Sequence, residues 1–504
     1  MMMAVIENIP ILQPRYKVTL FKTVQRETID GEEKVSVRYG ATAKTIDLTQ
    51  FLTDQSTIST SKSVREPAGG FSITVSDQPY SVPAGVDTLA GIVEPMDIVE
   101  IRFAHHPNGS SEPPVIMRGF VSDVSRSEFV DNDGRPVRTV TIAGQDYGKL
   151  WQMLQLFYGP WYVIGQDIIS AYAMFERFGA GAKIGQSGAD FLKETFDKIL
   201  NPYVKDIVSG NSDNPSTIEV KALQKHGVTS ISGTQNQEGA LYDLLRRFLD
   251  VGVWNELFIT EDDEKVYCIY RPNPYLDVHG KPIDPDTKEP VAFSSASTDP
   301  TTLVYYDVPA EDIRSINVSR SDSNVANYYW VRAPRYEMVS DIYQKQAGAT
   351  SGDKKTIGLT DYVNTKGKLY GIRKMEVTTE MGGDDVSNTA SGVSEQEKIK
   401  RDTSVANWIK NRRQMLVEMN RDNVLLERGS MAIKGNENIR AGNYVKVRRG
   451  TFTALYYVVQ VEHQFSPFNN FVSVLQVDRG LGFVERLRKN GGPESPYYSE
   501  QASS

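Results

Sequence analysis

The sequence is poor in the residues that perform covalent, redox and metal chemistry. Among 504 residues there is one cysteine, Cys268, and there are five histidines. A single cysteine excludes a disulfide scaffold, and so few thiols and imidazoles leave little for a transition metal to bind. Excess positive charge is missing too. Against 64 Asp and Glu stand 56 Lys and Arg, a net charge of −8, which is the wrong sign for a surface that grips phosphate along its length. No window approaches the roughly 20 apolar residues of a membrane-spanning helix. The most apolar stretch, 150–178, is broken by Gly159, Pro160, Gln166, Asp167, Glu176 and Arg177. The apolar patch Met3, Ala4, Val5, Ile6 has no basic flank and no small-residue cleavage site, so no leader is expected. These absences predict a chain kept in a reducing cytosol, with no stable membrane insertion. Aromatic residues, by contrast, are plentiful: 25 Tyr, 19 Phe and 5 Trp supply a large core and exclude a disordered acidic chain.

The length predicts about three domains at roughly 150 residues each, and the pattern along the chain refines this. Residues 16–24, 46–51, 58–62, 71–77, 97–103, 115–124 and 136–143 mix β-branched and aromatic residues with polar partners and read as strands, with 46–51 part-helical as the alternative. Phe71, Ile73 and Val75 fall on one face of a strand. Asp131-Asn-Asp-Gly134 is a hairpin signal, because these residues tolerate positive φ. Short strands with frequent turns predict a closed or nearly closed barrel. Residues 147–157, 168–177 and 189–200 have helical spacing, and Leu241, Leu244, Leu245, Phe248 and Leu249 form an amphipathic stripe, with Gly252 placed as its C-cap. From 253 the β pattern returns. Segments 254–260 and 265–270 flank the acidic turn Glu261-Asp-Asp-Glu264, 271–300 reads as a long surface loop, and 313–320 and 327–332 read as strands. Ser394-Glu-Gln-Glu397 fits a capping box before a long helix with Val405, Trp408, Ile409, Met415, Leu416 and Met419 on its packed face. Its Lys400, Arg401, Lys410 and Arg413 read as a solvated face.

Two β regions resemble each other. Met96-Asp-Ile-Val-Glu-Ile-Arg102, the strand 115–124 and Arg138-Thr-Val-Thr-Ile-Ala-Gly144 match Ala441-Gly-Asn-Tyr-Val-Lys-Val-Arg448, the strand 455–461 and the run from Phe471 to Gly480. In each, a turn feeds a strand of alternating apolar and charged residues, then a valine-rich strand, then a strand running into glycine. Two like modules per chain let an odd-numbered ring present twice that number of similar faces, so that a trimer offers six.

Sharper chemical readings are weaker. His105-His106 are neighbours that on a strand point to opposite faces, and they read as a loop edge. His463 follows Val459 and Val461 in alternation and reads as the cap of an apolar strand face. Gly179-Ala-Gly-Ala-Lys-Ile-Gly185 lacks the strand before it that a phosphate loop needs and reads as a helix–helix linker. The acidic clusters at 261–264, at Asp284 and Asp286, and at Asp384 and Asp385 read as turns. They lack both calcium-loop spacing and the burial that a glycosidase acid requires. The aromatic run from Trp151 to Phe178 reads as core of the helical segment, with an exposed patch that docks a partner as the alternative. No catalytic, cofactor-binding or metal residue is assigned, and no cofactor is expected.

The motifs taken in order resemble a known family. The run from Ile58 to Asp77, with Lys62-Ser-Val, Pro-Ala-Gly-Gly and Phe-x-Ile-x-Val-x-Asp, together with Arg118-Gly-Phe-Val-Ser-Asp-Val124 and Val140-Thr-Ile-Ala-Gly-Gln-Asp146, is similar to the N-terminal barrel of phage baseplate hub proteins. Ile439 to Val447, Tyr457 to His463 and Gln476 to Gly480 resemble that family's second barrel, and 244–274, ending in Arg-Pro-x-Pro, its helix-then-hairpin segment. The family is the late-control-protein-D-like tail hub of contractile tails. The resemblance implies a β-rich α+β multidomain chain, with two similar β-barrel, tube-like domains and helical and β inserts between them. The expected divisions are an N-terminal arm 1–15, a first barrel 16–147, a mostly helical insert 148–252, a β insert 253–340, a polar segment 341–393, a long helix 394–424, a second barrel 425–486 and a disordered tail 487–504. It implies a homotrimeric hub, a non-enzymatic symmetry adaptor between the hexameric tail tube protein and the trimeric central spike protein, with an axial channel through which DNA only passes. Baseplate wedge proteins and the tape measure protein are the further partners. The location implied is the virion tail baseplate, assembled in the host bacterial cytoplasm. The alternatives are a hub-associated peptidoglycan-degrading enzyme and a receptor- or carbohydrate-binding tail protein.

Overall fold

The computed structural model describes residues 14–23, 45–82, 85–104, 112–130, 134, 136–156, 185–208, 213–224, 227–230, 239–276, 282–283, 293–294, 299–332, 362–382, 395–449, 452–467 and 470–482. Several expectations lie outside them: most of the arm 1–15, His105 and His106, residues 131–133 of the hairpin turn, 179–184, the aromatic run beyond Leu156, most of 271–300 and of 341–393, Ser394, and the tail 487–504.

The strands in chain order are β1 (Arg15–Phe21), β2 (Thr45–Asp47), β3 (Thr57–Ser63), β4 (Gly70–Ser76), β5 (Ile98–Ala104), β6 (Val115–Val130), β7 (Pro136–Asp146), β8 (Ile218–Ala222), β9 (Asn255–Glu261), β10 (Val266–Pro272), β11 (Leu303–Pro309), β12 (Ile313–Ser319), β13 (Tyr328–Arg332), β14 (Lys374–Thr378), β15 (Glu427–Lys434), β16 (Tyr444–Arg449), β17 (Phe452–Ser466) and β18 (Asn470–Gly480). Among the described residues the α-helices longer than four residues are α1 (Gly148–Met153), α2 (Gly188–Thr195), α3 (Asn201–Val208), α4 (Leu241–Phe248) and α5 (Glu395–Asn420).

One 14-stranded sheet organises the chain. Its first part runs β3-β4-β7-β6-β5-β1-β2, and its second runs β12-β15-β18-β17-β16-β11, with the two-residue strand Phe293–Ser294 beyond β11. The order β3-β4-β7-β6-β5 recurs as β12-β15-β18-β17-β16, antiparallel at every step in both. The match extends to one irregularity. β6 carries an extra residue, Ser122, where it pairs with β7, and β17 carries one, Val459, where it pairs with β18. Val121 opposite Gly144 thus corresponds to Val458 opposite Val477. The sequence comparison set Gly144 level with Gly480, and the bulge register corrects this by three residues. Gly480 has its own reason: a Cβ there would fall 2.1 Å from the Tyr456 ring. The parts differ at one edge, where β1 is antiparallel to β5 but β11 is parallel to β16. β11 and β12, which lie in the segment read as a β insert, pair with the second part of the sheet. Among the described strands no ladder joins β3 to β1 or β12 to β11, so neither part closes on itself by pairing.

Alternation makes these strands what they are. Phe71, Ile73 and Val75 are buried on β4 while Ser72, Thr74 and Ser76 are half-buried on the other face. They pack with Val18, Leu20, Ile58, Val99, Ile101, Val140 and Ile142 in the first core. Met431, Ile433, Val445, Val447, Val458, Val461 and Leu475 build the second. Between them, α4 buries Leu241, Leu244, Leu245 and Phe248 as its spacing predicts, each worth about 1.5–3 kcal/mol of apolar burial. This helical core also takes Tyr147, Trp151, Phe191 and Phe196, so Trp151 is core, as expected. The stop of α4 differs from expectation. Asp250 takes the left-handed conformation, with φ 51°, two residues before Gly252. Its carboxylate is held from far along the chain by the Thr379 hydroxyl at 2.5 Å and the Glu380 N–H at 2.8 Å, and Asp is among the few residues besides glycine that visit this conformation.

α5 buries Trp408, Ile409, Met415 and Leu416, while Met419 is half-buried. The side chains of Lys400, Arg401 and Val405 lie outside the description. Lys410 is exposed as expected, but Arg413 is buried, and so is its neighbour Arg412. The Arg412 guanidinium lies 3.9 Å from the Trp408 ring centroid and 5.9 Å from that of Trp254. Cation–π contact of this kind lets an arginine sit in an aromatic core, and no helical periodicity within α5 could reveal it.

Candidate functional site

The two parts of the sheet meet along one ladder. β17 has 15 residues, but β16 covers its first half alone, from Phe452 to Tyr457. The edge left free beyond the bulge takes β3, antiparallel, from Gln460 opposite Ser63 to Phe465 opposite Ile58. Val461, His463 and Phe465 are buried along this edge. Phe103 of β5 fills the crossing, with ring centroids 5.4 Å from Phe465, 5.0 Å from Phe471 and 5.9 Å from His463. Aromatic pairs at these separations add to simple area burial. His463 therefore does pack among apolar groups, and it hydrogen-bonds to Ser473 at 2.9 Å. Val459, at the bulge, packs in a different cluster from Val461, so the simple alternation read from sequence breaks there.

Burial pushes the His463 imidazole down to about 4. As pH falls from 6.5 the unfolded chain takes up this proton and the folded chain does not, so stability present at neutral pH is lost, about 3 kcal/mol by pH 4. Asp250 acts in reverse. Burial, only partly offset by Arg412, pushes its carboxyl up to about 6. The folded chain then takes up a proton before the unfolded one does, and stability rises by a similar amount as pH falls toward the ordinary carboxylate range. The two trends oppose each other. We expect urea unfolding to show Asp250→Asn losing stability steadily from pH 6.5 to 4 and His463→Gln gaining it. Parallel pH profiles for the two variants would contradict the assignment.

The β9–β10 hairpin is fastened to both parts of the sheet. On the first side, Arg118 of β6 donates to Glu100 at 2.7 Å, to the Asp262 carbonyl at 2.9 Å and to the Asp263 carbonyl at 2.5 Å. The Asp263 carboxylate accepts from Arg102 at 3.1 Å and from the Val115 N–H at 2.9 Å. Lys62 of β3 lies 3.2 Å from Asp146 and closer still to Glu261. On the second side, Arg271 pairs with Glu256 at 3.0 Å and donates to the Gly442 carbonyl at 2.7 Å, while the Tyr457 hydroxyl donates to Glu256 at 2.5 Å. The acidic cluster 261–264 is thus not a plain solvated turn. Glu261 is buried, and its neighbours are engaged by arginines from strands more than 140 residues away in sequence.

Gly442 shows how tight the fastening is. Its φ is +86°, and a Cβ there would stand 2.8 Å from the Arg271 guanidinium. Gly442→Ala is therefore expected to cost about 1–3 kcal/mol, read as a lowered urea midpoint. An unchanged midpoint would show that the contact is loose.

Ion pairs hold the buried carboxylates of this site. Each buried carboxylate in it has a cation: Glu100 with Arg118, Glu256 with Arg271, Glu261 with Lys62. Burial favours the neutral form of Asp478, but Arg479, Arg428 and Arg65 outweigh it and hold the carboxyl below its usual range, whereas burial pushes the Asp146 carboxyl up. The Cys268 thiol is buried, and burial pushes it up, away from nucleophilic thiolate. Among the described residues no group of three or more His, Cys, Asp or Glu could hold a metal ion, and no helix is long and apolar enough to cross a membrane.

Sequence reading singled out His463 and the acidic turn but missed Lys62, Arg118 and Arg271 as site residues. The available signal was a charged residue inside an apolar strand, as in Ile-Met-Arg118-Gly-Phe. Among the described residues the most exposed large apolar side chains are Phe129 and Val130 on β6 and Val363, Leu369 and Ile372.

No family model matches the chain, and no curated protein does. Three solved structures are similar over most of its length. A tail protein of Neisseria meningitidis is 10% identical, with 93% of this chain and 98% of that one covered, at a TM-score of 0.40. The 43 kDa tail protein of prophage MuSo2 from Shewanella oneidensis is 10% identical over 92% and 98%, at 0.41. A type VI secretion component of Escherichia coli is 6% identical over 84% and 74%, at 0.36.

Proposed function

We propose that the chain is a non-enzymatic structural component of a phage-type tail baseplate, a homotrimeric central hub that adapts the sixfold tail tube to a threefold spike. The observation that carries this reading is the β3–β17 ladder, which fuses two parts of the same strand order into one sheet. A chain built this way presents two like units in a fixed relation, so three chains present six like units about one axis while keeping threefold symmetry elsewhere. The sequence resemblance to late-control-protein-D-like hubs points to the same use. On this reading the units are the tube-like barrels of residues 16–147 and 425–486, the second completed by 303–319. The charged fastening of β9 and β10 keeps them from moving independently. Tail tube, spike, wedge and tape measure proteins are the partners, DNA passes through the axial channel without being held, and the chain resides in the virion after assembly in the host cytoplasm.

Electron microscopy of tail particles carrying an affinity tag on this chain, decorated with gold, tests the placement. Label confined to the baseplate end is expected. Label distributed along the tube, or absent from intact particles, would overturn the reading.

A further inference from the structure

The internal ladder shows what one edge of the molecule is built to receive. Beyond the bulge of β17, the edge not covered by β16 is taken by β3 of the other part of the sheet. The same edge exists on β6. β5 pairs with β6 as far as Phe120, and among the described strands none pairs with the outer edge of β6 beyond the bulge at Ser122. Seven residues in a row, Val115 to Val121, are buried, after which Ser122 to Val130 are exposed except for half-buried Val124. Phe129 and Val130 are 53% and 70% exposed. The strand that corresponds to β3 is β12. It pairs with β15 on one side, and no described strand pairs with the other. Its Ile316 and Val318 are half-buried against the second core, with Arg314, Ser315, Asn317 and Ser319 exposed.

Among the described strands, one chain thus holds a filled socket, a copy of that socket with no strand paired to it, and a copy of the inserted strand with one edge unpaired. An unpaired strand edge is a template for a further strand. In the sheet order β12 is separated from β6 by β15, β18, β17, β3, β4 and β7, so the occupant is a second copy. Carrying the internal register across, Gln460 corresponds to Asp123 and Ser63 to Ser321, which fixes every pair. We propose that β12 of one copy adds antiparallel to the outer edge of β6 in the next copy, with Ser125 opposite Ser319, Arg126 opposite Val318, Ser127 opposite Asn317 and Glu128 opposite Ile316.

This rests on the ring reading above and deepens it by naming the joint. Each copy gives one edge and accepts one, a head-to-tail contact that closes into a ring when the rotation allows. The joint between copies is more polar than the joint within a copy. Arg126 and Glu128 stand where His463 and Phe465 stand inside, and Arg126 is already paired to Asp77 at 3.2 Å. The ring is therefore assembled from units that are permanent in pairs and separable between pairs.

Mixed cysteine cross-linking tests the register. Ser125→Cys and Ser319→Cys are made in separate full-length chains; both positions are exposed, and Cys268 is buried, so background reaction is low. After mixing and mild oxidation, a disulfide-linked dimer is expected on a non-reducing gel, and neither variant alone should give it. Ser125→Cys mixed with Ser315→Cys places the thiols about 13 Å apart along the strand, beyond disulfide reach, and should give severalfold less. Mass photometry of the same samples separates the two ideas. Oligomers without the Ser125–Ser319 cross-link, or with equal yield from the shifted pair, overturn the joint and leave the ring reading standing. A chain that stays monomeric under these conditions, and also after its tube and spike proteins are added, overturns both.

Discussion

Lys62→Met is expected to lower the unfolding free energy by about 3–5 kcal/mol at neutral pH, because it removes one partner from a buried ionic cluster. The ammonium of Lys62 stands between Asp146 and Glu261, whose side chains are almost fully buried. Burial already pushes the Asp146 carboxyl up in the presence of Lys62, and the Glu261 charge pushes it further the same way. Without the lysine two like charges face each other out of water, and the cheapest response is to protonate one of them. The sign of the pH effect follows. A carboxyl whose folded value lies above its unfolded value binds its proton first in the folded state, so the stability of the variant rises as pH falls. Urea titrations at pH 7 and pH 5 should show a large deficit at the first and a partial recovery at the second. A variant as stable as the parent at pH 7 would mean that the cluster is solvated and does not fasten β3 to the hairpin.

Phe103→Ala should cost a comparable amount, about 3–5 kcal/mol, as a large-to-small change at a closed site. Phe103 is fully buried and touches Phe465, Phe471 and His463, which belong to the other part of the sheet. The cavity would open beside the β3–β17 ladder. Water entering it would relieve the burial that holds the His463 imidazole down to about 4. Two readouts therefore move together: the thermal midpoint falls, and the acid-side loss of stability due to His463 shrinks. A lower midpoint with an unchanged pH profile would place the damage within the first core and away from the joint.

Local features were legible in the sequence and distant partnerships were not. The stripe of α4 and the hairpin 254–270 could be read because their determinants lie within one or two turns of chain. The likeness between the two β regions was also visible, strand by strand, although the bulges at Ser122 and Val459 shift its register in a way no propensity records. Arg413 and the acidic turn were misread for a common reason. A charge is judged solvated until its surroundings are known, and the partners of the acidic turn lie far along the chain. Lys62 and Glu261 are separated by 199 residues. The pairing of β3 with β17 spans about 400 residues, as Ser61 and Gln460 do, and nothing in either strand alone specifies it.

The most direct test of the central claim is the native mass of the purified full-length chain, by mass photometry or native mass spectrometry. The account predicts a closed species at three times the 56.3 kDa chain mass, formed by the chain alone or on addition of its tube and spike proteins. A stable monomer that ignores both proteins, or an open-ended series of sizes without a trimer, would contradict it.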